Sequence, residues 1–205
     1  KVGEWAYGYS YFYFDVSQFI QEGANTVAVK LSNKEFASRW YPGAGLYRKV
    51  SVIIKNNESI DQWGQFITTP FISDAVAKVN IKTKASGENT RLVTTIFDAE
   101  GHKVSAEESS LRFGKEFDQN LKVENPKLWS PETPYLYKAV AQLYVGNELK
   151  DEVTTRFGIR EIKYEANKGQ LELHSADLFA YVASIEHHKY PLSTVVHVSY
   201  QTSFN

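Results

Sequence analysis

Apolar and polar residues alternate with a period of two in short runs along this chain, and no other feature constrains its fold as much. "NTVAVKLSN" (Asn25–Asn33) puts Val27, Val29 and Leu31 on one face. "AVAKVNIKTK" (Ala75–Lys84) sets Val79 and Ile81 against Lys82 and Lys84. "YRKVSVIIK" (Tyr47–Lys55), "TRLVTTIFD" (Thr90–Asp98), "YLYKAVAQLYV" (Tyr135–Val145) and "KDEVTTRFGIREIKY" (Lys150–Tyr164) also read as strands. Successive side chains of a strand point to opposite faces, so each run can bury one face and wet the other. Turn chemistry separates the runs. "SGEN" precedes Thr90, and Gly146-Asn147 divides two alternating runs as a hairpin loop does. No βαβ rhythm and no heptad appears, which excludes a parallel α/β sheet and a coiled coil. One short helix is predicted over "QFIQEG", with Asp15 or Ser17 as N-cap and Gly23 as its stop. The pattern is all-β, with strands at sandwich-like spacing.

Composition narrows the function classes. The net charge of −1 comes from 23 basic and 24 acidic residues that are interspersed. No basic footprint for nucleic acid results. No run of about 18 apolar residues exists, so no spanning helix is expected. The absence of cysteine removes disulfides, thiol catalysis and Cys-based zinc sites. Methionine is absent even at position 1, so the chain is expected to belong to a longer or processed product. The compartment stays open, with the reading leaning to the periplasm or outside the cell. Aromatic residues reach 14%, which suits strands first and sugar-binding surfaces second.

Organisation follows from texture. "KNNESIDQWGQF" (Lys55–Phe66) is polar and turn-rich, and a domain join is placed at Asp61–Gln65. A second boundary lies at "EANKGQ" (Glu165–Gln170). Trp5, Tyr7, Tyr9, Tyr11 and Tyr13 would share one face of a strand, with Phe12 and Phe14 on the other. A bare aromatic face there would favour self-association.

Four segments, in order, resemble the non-catalytic modules of glycoside hydrolase family 2, whose members include β-galactosidases, β-glucuronidases and β-mannosidases. They are "YFDVSQFIQEGANTVAVKLSN", "SRWYPGAGLYRKV" (Ser38–Val50), "NPKLWSPETPYLYKAVAQL" (Asn125–Leu143) and "RFGIREIKYE" (Arg156–Glu165). The resemblance covers about Lys1 to Gly169, and the "RWYPG" loop leans toward the β-galactosidase branch. It implies the C-terminal part of a jelly-roll over 1–65, an immunoglobulin-like β-sandwich over 66–165 and a divergent tail over 166–205. It also implies a retaining mechanism whose two carboxyl groups lie on a catalytic barrel outside these 205 residues. The family's "NGK" turn is missing, and Lys189 follows His187-His188 where the family often has an acid.

The resemblance assigns Arg39, Trp40 and Tyr41 to the rim of the sugar pocket. An indole stacks on the C–H face of a pyranose and a guanidinium donates to hydroxyls. Packing between domains is the alternative role for this loop. Arg48, Arg156 and Arg160 are domain-interface candidates. Arg156 and Arg160, four apart on an extended strand, would share a face and suit a carboxylate partner; surface exposure is the alternative. The partner implied for the intact enzyme is a β-galactoside-type carbohydrate. No cofactor or metal is implied: adjacent His187 and His188 lack the spacing of a zinc pair.

No catalytic residue is assigned. Glu107 and Glu108 are neighbours, and in an extended segment they point apart. Glu161 and Glu165 are expected to face solvent. Asp15 is better explained as a cap. Trp129, beside Pro126, Pro131 and Pro134, reads as a core anchor before a sugar platform. Two other readings remain: a free-standing carbohydrate-binding module, and a structural β-sandwich that binds protein.

Overall fold

The structure is a computed structural model that describes residues 1–7, 10–32, 45–46, 49–161, 163–165 and 170–172. It divides into two compact units, residues 1–55 with 188–205 and residues 56–187.

The second unit is a β-sandwich. Its strands are β1 (Ile60–Ile72), β2 (Val76–Ala85), β3 (Thr90–Phe97), β4 (Lys103–Leu111), β5 (Glu116–Glu124), β6 (Tyr137–Val145) and β7 (Glu148–Phe157). One sheet has the order β1-β2-β5 and the other β4-β3-β6-β7. All their pairings are antiparallel. In a constant-type immunoglobulin sandwich the fourth strand joins the sheet of the first, second and fifth. Here β4 pairs with β3 instead. Strands β8 (Lys163–Glu165) and β9 (Gln170–Glu172) form a separate short pair.

The alternating runs beyond residue 75 become β2, β3, β6 and β7 close to the expected positions. Gly146, at the first central position of the β6–β7 loop, has φ 59°, a conformation that glycine adopts without a Cβ penalty. Alternation is strictest in β5, where Phe117, Gln119, Leu121 and Val123 are buried and the residues between them exposed.

Two apolar clusters fill the sandwich. One holds Ala77, Val79, Ile81, Ile96, Leu121, Val123, Tyr137, Ala139 and Ile159. The other holds Ile60, Ala85, Leu92, Phe117, Ala141 and Leu143. A polar layer separates them. On β2, Thr83 falls between Ile81 and Ala85; on β5, Gln119 between Leu121 and Phe117; on β3, Thr94 between Ile96 and Leu92. All three polar residues are fully buried. The Gln119 amide nitrogen donates to the Leu92 carbonyl at 3.3 Å, the Glu107 carbonyl at 3.2 Å and Ser109 Oγ at 3.3 Å. Its oxygen accepts from Thr94 Oγ1 at 2.5 Å. Thr155 Oγ1 on β7 donates to Gln65 Oε1 on β1. Gln65 Nε2 and Thr83 Oγ1 are buried without a hydrogen-bonding partner among the described residues.

The residues assigned to a domain join, Asp61–Gln65, lie inside β1. The register jumps from Ile60↔Ala85 to Gln65↔Thr83, so Asp61–Gly64 bulge out opposite the single residue Lys84. The turn-rich composition belongs to this bulge. Trp63 takes φ 55° there. A Cβ on Gly64 would lie 2.8 Å from both the Asp61 and Lys84 carbonyl oxygens, so only glycine fits.

In the first unit the expected helix is a single 3-10 turn, Ser17–Phe19. Asp15 Oδ1 accepts from the Ser17 N–H at 2.9 Å and from its hydroxyl at 2.6 Å, an Asx-turn more than a helix cap. Asn25 closes the following loop, donating to the carbonyls of Gln21 at 2.8 Å and Gly23 at 3.0 Å. Val16 is buried against Phe12, Phe14 and Ile20. The odd-and-even division of the aromatic run is not observed: Trp5 stacks on Phe12, with ring centroids 5.8 Å apart. The described parts of the runs at 25–33 and 47–55 form no strand, and Val27, Val29, Leu31, Val50, Val52 and Ile54 are exposed. Alternation prepares two faces, but a strand also needs a ladder partner, and none of the described residues supplies one.

Candidate functional site

Of the sequence-predicted site residues, Arg39, Trp40, Tyr41 and Arg48 lie outside the described residues, as do His187 and His188. Arg156 and Arg160 are described, and the structure does not bring them to one face. β7 ends at Phe157, so Arg160 is past the strand and the period-two relation between the two stops. Arg156 points outward on β7 and is exposed. The Arg160 guanidinium carbon lies 5.4 Å from the centre of the Trp129 ring.

That contact belongs to a joint between the β5–β6 connection and the chain leaving β7. Trp129 is 9% exposed, which makes it the core anchor expected from its prolines. Its backbone N–H donates to the Ile159 carbonyl at 2.9 Å. A Cβ on Gly158 would stand 2.7 Å from Trp129 Cβ, so the indole packs against bare backbone. Thr69 Oγ1 on β1 donates to the Arg160 carbonyl at 2.8 Å. The "LWSPE" and "RFGIR" segments thus lock onto each other.

The two tyrosines of "PYLY", two residues apart, hold the same connection from the other side. Tyr137 opens β6, and its buried hydroxyl accepts from the Lys127 N–H at 2.8 Å. The bond reaches ten residues back and ties the β5–β6 connection to the start of β6. Tyr137→Phe is expected to cost roughly 1–3 kcal/mol of unfolding free energy, because it leaves the Lys127 N–H without its acceptor. Urea denaturation followed by circular dichroism would measure it, and a cost near zero would show that water replaces the hydroxyl.

Tyr135 ties down the β3–β4 turn. Its hydroxyl donates to Glu100 Oε2 at 2.6 Å and accepts from the Ala99 N–H at 3.1 Å. Lys127 Nζ lies 3.5 Å from Glu100 Oε1 and 4.7 Å from the centre of the Tyr135 ring. The Tyr135 hydroxyl and, less strongly, Lys127 hold Glu100 below the usual carboxylate range. Glu100 and Tyr135 in turn raise Lys127. Burial, then the bond to Glu100, raises Tyr135. Burial also pushes Asp98 up, but hydrogen bonds from His102 outweigh it and hold Asp98 low. Because Glu100 is depressed, its contribution is present above the ordinary carboxylate pKa and is lost as pH falls through the lowered one. Sequence reasoning missed this cluster; the two-residue spacing of its tyrosines was the available signal.

Glu107 and Glu108 diverge as expected. They lie on β4, at the edge of its sheet. Glu107 Oε2 accepts from the Asn120 N–H at 2.8 Å, while Glu108 pairs with Arg91 at 3.1 Å. Among the described residues no three His, Cys, Asp or Glu gather as metal ligands.

The described site is therefore that of a β-sandwich module whose loop between the fifth and sixth strands is stapled by a buried tryptophan and two tyrosines. Residues 60–160 match the family model of glycosyl hydrolases family 2. The chain is 35% identical over 180 residues to the β-galactosidase BoGH2A of Bacteroides ovatus, covering 82% of this chain and 21% of that one. It is 25% identical to a β-glucuronidase of Formosa agariphila, covering 82% of this chain and 21% of the relative. A crystal structure of a glycosyl hydrolase family 2 member from Bacteroides cellulosilyticus superposes with a TM-score of 0.65 at 27% identity, over 77% of this chain and 23% of that one. Through its sandwich, this chain belongs to glycosyl hydrolases family 2. It spans about a fifth of the length of these relatives.

Proposed function

We propose that this chain is an accessory, non-catalytic region of a β-galactosidase-like family 2 glycoside hydrolase that releases terminal β-linked sugars. In this reading residues 1–55 supply the end of a jelly-roll and residues 56–165 an immunoglobulin-like domain. Residues 166–205 lead toward a catalytic barrel. The single observation that carries it is the alignment: 82% of this chain matches about a fifth of a β-galactosidase. The stapled joint at Trp129 suits a bracing role, since it rigidifies the chain where β7 exits. Arg156, exposed near that exit, is a guanidinium available to a carboxylate of another domain. Arg39, Trp40 and Tyr41 would reach the sugar pocket, and Arg48 would pack between domains. The relatives include both a β-galactosidase and a β-glucuronidase, and the "RWYPG" loop favours the galactoside.

Retaining hydrolysis needs two carboxyl groups about 5–5.5 Å apart across the scissile bond. In this reading both lie outside the chain. The purified chain is therefore expected to show no turnover of nitrophenyl β-galactoside or nitrophenyl β-glucuronide. Turnover that co-purifies with the chain would overturn the reading.

A further inference from the structure

The outer face of the β1-β2-β5 sheet carries more exposed aromatic surface than a solvated sheet face requires. Phe66 on β1 stands opposite Lys82 on β2, and Lys82 opposite Asp118 on β5. One step along, Lys84 stands opposite Glu116. The bulge at Asp61–Gly64 turns Trp63 onto this face. The indole remains 55% exposed and the Phe66 ring 65%. Together Trp63, Gly64, Phe66, Lys82, Lys84 and Glu116 line a groove of about 330 Å³. That is the lower end of the range for small-molecule sites, roughly 300–1,000 Å³. Within the bulge Trp63 sits in the left-handed region and the next position admits only glycine.

The polar lining points to the occupant. Lys82 Nζ lies 3.7 Å from Asp118 Oδ2. The groove and its rim thus carry two cations, Lys82 and Lys84, against two carboxylates, Glu116 and Asp118. This balance favours neither an anion nor a cation. A purely apolar ligand would strip water from four charges without replacing it. Beyond the groove, the Asn80 amide donates to Asp118 Oδ1 at 2.5 Å and to Asn120 Oδ1 at 3.0 Å. That row extends a track of donors and acceptors along the face. A pyranose combines an apolar C–H face for the rings with hydroxyls that both donate and accept.

We infer that Trp63, Phe66, Lys82, Lys84 and Glu116 form a surface site for a saccharide chain, with its axis continuing along Asp118 and Asn120. The inference does not depend on the accessory reading of the chain. The site would hold a saccharide chain without taking part in any chemistry.

Titration calorimetry of the purified full chain with a β-1,4-linked galactotetraose, and with a glucuronic-acid-terminated oligosaccharide, tests it. Binding of either one is expected. Trp63→Ala and Phe66→Ala should each weaken it by about tenfold, the loss of one aromatic contact. Both side chains are exposed, so the unfolding midpoint should stay where it is. An absence of heat with both saccharides at millimolar concentration would overturn the inference, as would unchanged affinity in Trp63→Ala. Self-association that depends on Trp63, seen by sedimentation, would assign the face to a second copy instead.

Discussion

Trp129→Ala is expected to lower the unfolding free energy of the sandwich by about 3–5 kcal/mol, the range for deleting a large buried aromatic. The physical reason lies in what the ring touches. Its neighbour at Gly158 is bare backbone, too close for even a methyl group. The opening left by the indole would be bounded on that side by main chain, which relaxes poorly. The same change removes the contact with the Arg160 guanidinium, 5.4 Å from the ring centre. Urea denaturation followed by circular dichroism at a sheet wavelength reads the sandwich directly. Trp129→Phe should recover part of the loss, because a smaller ring still fills part of the space. A cost below about 0.5 kcal/mol for the alanine variant, the scale of surface substitutions, would show that the indole is not the anchor of this joint.

Gln119→Leu is expected to cost about 2–4 kcal/mol, although leucine is the more apolar side chain. Gln119 is fully buried and serves three acceptors and one donor across both sheets. Leucine fills a similar space but leaves the Thr94 hydroxyl unpaired, and each buried polar group so stranded costs roughly 1–3 kcal/mol. A second change, Thr94→Val, should then return part of the stability, because the stranded hydroxyl goes with it. A double-mutant cycle measures this coupling. Purely additive costs would mean that water, and not Gln119, satisfies Thr94.

The same polar layer explains why part of the fold was not legible. β2 and β6 carry apolar residues at nearly every inward position, while β3 and β7 alternate apolar residues with Thr90, Thr94, Asp151 and Thr155, and the period of two is still visible in the sequence. β4 turns Glu107 and Ser109 inward, and β5 buries Gln119. Polar residues at inward positions break the period-two apolar pattern of β4, whereas β5 sets Phe117, Leu121 and Val123 beside Gln119 and keeps a pattern at least as clear as that of β3. The shared face expected of Arg156 and Arg160 is absent for a different reason, which leaves their interface role a proposal. That expectation extended one strand through Gly158, where the backbone leaves the ladder to meet Trp129. The "PYLY" tyrosines were visible as an aromatic pair, yet their partners at Lys127 and Glu100 come from separate connections.

What the sequence by itself determined is local. It set which face of each alternating run is apolar, where the turns at Gly87 and Gly146 fall, and that a tryptophan among prolines would be an anchor. These follow from side-chain alternation and from backbone preferences of single residues. Only the tertiary structure decided that β4 would sit beside β3, that Gln119 would find its partners at Leu92, Thr94, Glu107 and Ser109 on the facing sheet, and that a bulge would turn Trp63 outward. Those outcomes depend on which strand supplies a ladder partner and which buried polar group finds an acceptor. Both conditions are met by residues distant in the chain, and no local pattern records them.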